Sequence, residues 1–156
     1  MAQNPQDKWH GRFMTIARAV ASWSKDPQAQ VGAVVVGPNR RSMSWGFNGF
    51  PAGVADDDRL WHEDKNEWMV HAELNSILNA RRDLTGWTLY CTKFPCSHCA
   101  LAIVQAGIVR VVTYPMAKTP SKWTESHLRS MEVFKEAGVE LIIHHERAQE
   151  PETPDE

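Results

Sequence analysis

The chain is poor in cysteine: Cys91, Cys96 and Cys99 are all it holds. An odd count, behind a polar start (Met1 to Asp7) with no signal-peptide core, does not suggest a disulfide-stapled secreted scaffold. The three thiols are candidates for metal binding or catalysis in a reducing compartment. No apolar run approaches the roughly 18 residues of a membrane span. A surplus of positive charge is missing too: 17 Lys and Arg stand against 19 Asp and Glu, a net charge of −2. That weighs against nucleic-acid binding, which asks for a basic face. No internal repeat or domain boundary is visible. The expectation is a soluble cytoplasmic protein without a membrane segment.

What is present suits a single domain over residues 8–146, between flexible termini 1–7 and 147–156, the second acidic and proline-bearing. Trp9, Phe13, Ile16, Ala17 and Val20 keep helical spacing over 8–24, which Pro27 closes. Residues 31–36 read as a buried strand and 42–47 as its hairpin partner. Residues 50–69 lack periodicity, as functional lids often do. Their Asp56-Asp57-Asp58 run is either a solvated loop or part of a second cation site that lacks a full ligand set. Helices follow at 71–82, 97–106 and 121–137, with Leu74, Ile77 and Leu78, then Leu128, Met131 and Phe134, facing inward. The second of these helices is apolar on most sides. Strands follow at 88–92, 108–113 and 139–143. Strands joined by helices of this length pair in parallel. The expected fold is α/β: a three-layer α/β/α sandwich around a mixed five-stranded sheet. Most of the seven tryptophans are expected in the core or at subunit contacts.

Two short segments carry chemistry: His71-Ala72-Glu73 and, about 25 residues on, Pro95-Cys96-Ser97-His98-Cys99. Cysteines three apart at a helix start present both sulfurs to one ion. The helix N-terminus favours their thiolates. With His71 the set is two thiolates and an imidazole, which suits Zn²⁺ and leaves one tetrahedral position open, as catalytic zinc sites do. Glu73 adds a proton carrier. Regular helix geometry separates His71 from Glu73 by about 200°, so His71 is expected at an irregular helix start. The alternatives are a redox Cys-x-x-Cys pair, or a structural zinc closed by His98 or Cys91. A regular helix points His98 away, and Cys91 also reads as a buried small residue.

The pairing of His-x-Glu with Pro-Cys-x-x-Cys is the signature of zinc deaminases. The chain resembles the zinc-dependent cytidine and deoxycytidylate deaminase superfamily, and within it the dCMP deaminases. Ser24-Lys25-Asp26-Pro27, Gln30-Val31-Gly32-Ala33, Gly46-Phe47-Asn48-Gly49-Phe50-Pro51, His71-Ala72-Glu73-Leu74-Asn75 and Phe94-Pro95-Cys96 carry the likeness. It implies a cytidine deaminase-like fold and a hydrolase that converts dCMP to dUMP and ammonia. Zinc hydroxide would attack C4, with Glu73 as proton shuttle and His71, Cys96 and Cys99 as zinc ligands. Ala72 and Phe94 would hold the base edge and Asn48 the sugar. The likeness also implies a homo-oligomer, dimer to hexamer, and allosteric dCTP and dTTP. Residues 114–123 depart from the pattern and put phosphate recognition in question, with Lys25, Arg40, Lys118 and Lys122 as available cations. Competing readings are deamination of a modified pyrimidine nucleotide, a nucleoside or tRNA adenosine, and a non-catalytic zinc-stabilised binding module.

Overall fold

The computed structural model describes residues 5–145. Residues 1–4 and the expected disordered tail, 147–156, lie outside the described residues. The small and β-branched run at 32–36 forms β1 (Gly32–Val36), buried at every position. A strand without polar alternation needs apolar cover on both faces, and helices on either side of the sheet supply it. β1 pairs antiparallel with β2 (Met43–Phe47) on one side and β3 (Thr88–Cys91) on the other. β3 runs parallel to β4 (Arg110–Thr113), and β4 to β5 (Glu140–Ile143). The order is β2-β1-β3-β4-β5, the mixed five-stranded sheet expected.

Side chains alternate across that sheet. Val34, Val36, Tyr90 and Val112 meet Phe13, Met14 and Ala17 of α1 (Pro5–Ala21). Ala33, Val35, Leu89, Cys91 and Val111 meet three helices on the opposite face. These are α3 (Ala72–Ala80), α4 (Ser97–Gln105) and α5 (Thr124–Ala137), contributing Ala72, Ala100 with Ile103, and Phe134. The layers are therefore α/β/α. α1 starts at Pro5, earlier than the periodicity placed it, since proline is at home in a first helical turn. Gly46 sets how closely α3 lies on β2. A Cβ there would stand 2.3 Å from the Ser76 backbone nitrogen and 2.6 Å from the Ala72 carbonyl oxygen.

Several apolar assignments are corrected. Leu78 is 59% exposed, and α3 buries Ala72, Glu73 and Ser76 instead. Leu128 and Met131 face solvent, and α5 turns His127, Ser130 and Phe134 inward. Leu101 is exposed on α4. The inward face of α5 meets the backbone of the turn before α4, whose polar groups need hydrogen-bond partners rather than methyls. Of the tryptophans, Trp87 is buried, whereas Trp23, Trp45, Trp61 and Trp68 are exposed.

Residues 50–69 hold a single 3-10 turn (Arg59–Trp61) and a one-turn helix α2 (Lys65–Trp68). A backbone pair and a buried ion pair tie the segment down. Gly49 and Val70 exchange backbone hydrogen bonds of 3.1 and 2.8 Å. Lys65 Nζ lies 2.6 Å from Asp26 Oδ1, both side chains buried. Among the described residues no helix is long and apolar enough to cross a membrane.

Candidate metal centre and pocket

α3 and α4 start side by side at the end of the sheet where β3 finishes. His71 is the N-cap of α3, with extended backbone (φ −69, ψ 154). Cys96 is the N-cap of α4 (φ −72, ψ 167), and Cys99 lies in its first turn. The irregular start expected for His71 is thus present. It releases the imidazole from helical spacing, so that it turns toward the cysteines.

His71 Nδ1 is 3.4 Å from Cys96 Sγ and 3.5 Å from Cys99 Sγ. All three donor atoms lie within 4.8 Å of one another. Tetrahedral zinc with Zn–S of about 2.3 Å and Zn–N of about 2.05 Å spaces N and S by about 3.6 Å. The donor set fits zinc in type and in spacing. Among the described residues no other group of His, Cys, Asp or Glu is so arranged. His98 is exposed, and Cys91 is fully buried outside the cluster. Neither supplies a fourth ligand. The Asp56-to-Asp58 run forms no cation site either, and Asp56 takes an ion pair from Lys25 at 3.1 Å.

The thiols are unequal. Hydrogen bonding from Cys99 and His71 pulls Cys96 down to about 3, against the opposing effect of burial. Cys99 is pushed up, because a second thiolate would face the first in a buried site. His71 is raised by its hydrogen bond to Cys96 and by the nearby Glu73 carboxylate. A cluster that readily holds one negative charge and resists a second is suited to a divalent cation, which removes the repulsion.

Glu73 is 4% exposed on the inward face of α3. Burial raises its pKa, only partly offset by its own backbone N–H and by the positive field of His71. A further hydrogen bond comes from the thiol of Cys91, itself shifted well up by burial. Such a carboxyl is held nearer the pH at which it can both accept and donate a proton.

His71, Cys96 and Glu73 line a cavity of about 500 Å³, open mouth included. Its wall contains all three residues expected to contact substrate: Asn48, Ala72 and Phe94. Asn48 is already committed to backbone. Its Nδ2 donates to the Ala29 carbonyl oxygen at 2.8 Å, and its Oδ1 accepts from Val31 N–H at 2.8 Å. One amide hydrogen remains. Ser24 Oγ donates to the Asn48 carbonyl oxygen, and Asp26 accepts from the N–H groups of Gln28 and Ala29. The Ser24-Lys25-Asp26-Pro27 stretch is thereby the clamp on the Asn48 turn.

Sequence reasoning missed several residues at this site. Lys93, Asn66, Met69, Trp123 and His127 all line the cavity. The Trp123 ring stands edge-on to His71, and His127 packs on Phe94 with ring centroids 5.2 Å apart. Burial lowers the pKa of His127. Ser126 Oγ accepts from Ser97 N–H at 2.8 Å, and Ser130 Oγ donates to the Pro95 carbonyl oxygen at 2.8 Å. α5 therefore fastens the turn that carries Cys96. The available signal was positional: 123, 126, 127, 130 and 134 share one helical face.

Residues 7–115 match the family model described as the cytidine and deoxycytidylate deaminase zinc-binding region. An uncharacterized deaminase in the luxG 3′ region of Aliivibrio fischeri is 46% identical over 86% of this chain and 92% of its own length. The deoxycytidylate deaminase of Homo sapiens is 39% identical over 67% of this chain and 64% of that protein. Among solved structures, dCMP deaminase from the cyanophage S-TIM5, in complex with dCMP and dUMP, superposes with a TM-score of 0.69. It is 26% identical, with 90% of this chain and 98% of that one covered.

Proposed function

The chain belongs to the cytidine and deoxycytidylate deaminase family, and from that premise we propose that it hydrolyses dCMP to dUMP and ammonia. One observation carries the reading: a buried glutamate lines the same cavity as His71 and Cys96, two of the three donors spaced for zinc. His71, Cys96 and Cys99 are assigned as ligands. Zinc held there supplies a Lewis acid with one open position, able to bring a water toward ionisation near neutral pH. Glu73 takes a proton from the attacking water and gives it to N3 of the cytosine ring. It takes a second from the C4 hydroxyl and gives it to the amino group, which leaves as ammonia. Atoms balance as cytosine plus water to uracil plus ammonia. Phe94 and Ala72 confine the base, while Trp123 and His127 exclude water.

The same reading covers the assembly and the setting. Trp45 and Leu78, exposed on β2 and α3, suit contacts within a homo-oligomer. Thiolate ligands and a free-nucleotide substrate suit the cytoplasm. The Gly46-to-Gly49 turn is the proposed point of response to dCTP and dTTP, read by dCMP turnover with and without each. Residues 8–146 are taken as the deaminase domain. Zinc-loaded protein should release ammonia and dUMP from dCMP in equal amounts, lose activity to a chelator and regain it with zinc. Failure to turn over any cytosine nucleotide would end the proposal.

A further inference from the structure

The cavity floor is a poor host for a nucleotide's phosphate, since the charge of a zinc held there is matched by its two thiolate ligands and Glu73 adds a carboxyl. Asp26 also lines the wall, although Lys65 neutralises it. A dianionic phosphate needs a compensating cation at the rim. Of the cations expected from sequence, Lys25 is bound to Asp56 and Arg40 lies over Trp9. Lys118 is exposed and does not line the cavity. Two other features remain. Lys93, directly before Phe94, is the one Lys or Arg that lines the cavity among the described residues. Lys122, exposed and outside the cavity lining like Lys118, differs from it in lying over Trp123, which does line the cavity. Their ammonium groups lie 5.6 and 5.5 Å from the centroid of the same ring, Trp123. Among the described residues neither has a carboxylate partner within ion-pair distance.

We infer that Lys93 and Lys122, gathered on Trp123, are the phosphate-recognition site, and that they select nucleoside 5′-monophosphates over free nucleosides. The face of an indole attracts ammonium groups without neutralising them, so both charges stay available to a ligand. Trp123 also stands against His71 and in the cavity wall. One side chain therefore links the rim to the reaction centre. The inference rests on the deaminase reading above.

The test compares dCMP with deoxycytidine in wild type, Lys93→Gln, Lys122→Gln, the double variant and Lys118→Gln. A charge-assisted contact is worth roughly tenfold. Each single variant should lower the kcat/KM preference for dCMP by about tenfold, mostly through KM, and the double variant should nearly erase it. Lys118→Gln should keep the preference. A second readout needs no turnover: calorimetric binding of dUMP and deoxyuridine to zinc-loaded protein. dUMP should bind at least tenfold tighter, and the double variant should bind both alike. Active wild type whose preference survives the double substitution overturns the phosphate site and leaves the deaminase reading standing. Inactive wild type with lysine-dependent dUMP binding does the reverse. A protein that neither turns over dCMP nor binds dUMP overturns both.

Discussion

Replacing Lys65 with Met is the sharpest structural perturbation available. Lys65 Nζ sits 2.6 Å from Asp26 Oδ1, with side chains 7% and 3% exposed. Removing one partner of a buried pair costs about 3–5 kcal/mol, because a charge is left without its counterion. Asp26 would keep the N–H groups of Gln28 and Ala29, which argues for the low end, about 3 kcal/mol. For a chain of this size that is a fall in Tm of about 6–12 °C. Asp26→Asn should cost a similar amount by stranding the lysine. The double variant should cost well under the sum, since neither charge is then left alone. Burial alone would raise the Asp26 pKa, but Lys65 and the two N–H groups bring it below the ordinary carboxylate value. A depressed folded pKa means stability present above the unfolded value, about 3.9, and lost as pH falls through the folded one. The gap between wild type and Lys65→Met should therefore be full at pH 7 and shrink toward pH 3. Thermal and urea unfolding of the four proteins at several pH values checks this. Single variants within about 0.5 kcal/mol of wild type, or strictly additive costs, would refute the reasoning. KM should rise in Lys65→Met as well, because α2 and its flank set Asn66 and Met69 in the cavity wall.

Gly46→Ala should destabilise the chain by about 2–3 kcal/mol or more, as its Cβ would strike α3 backbone; urea unfolding reads it, and an unchanged midpoint contradicts the close approach. Ser126→Ala strips the acceptor from Ser97 N–H and should weaken zinc at least several-fold through the loosened turn, as measured by competition with a chromophoric chelator. Because burial raises the Glu73 pKa, kcat/KM for dCMP should fall on the acid side through a pKa above the usual glutamate value of about 4.3. A profile level down to pH 4.5 would contradict that.

The sheet and the donor set were legible because both rest on local pattern. Runs such as Val34-Val35-Val36 declare a buried strand, and Cys-x-x-Cys at a helix start leaves its sulfurs few ways to point. Tertiary geometry was not legible. Leu128 and Met131 looked like the inward face of α5, yet the turn carrying Cys96 needed Ser126 and Ser130 there. Asn48 was recognised by family likeness, but its clamp, running through Asp26 to Lys65, joins residues 39 apart in sequence. No spacing rule reaches that far. Lys93 and Trp123 escaped for the same reason, since their neighbourhood exists only once α5 docks.

The central claim is that the proton carrier stands at the metal, and Glu73→Gln tests it most directly. With zinc content matched, kcat for dCMP should drop by about 10²–10⁴-fold, the usual worth of positioned acid–base catalysis, while one zinc per chain is kept. A variant that holds its zinc and works within tenfold of wild type would contradict the account.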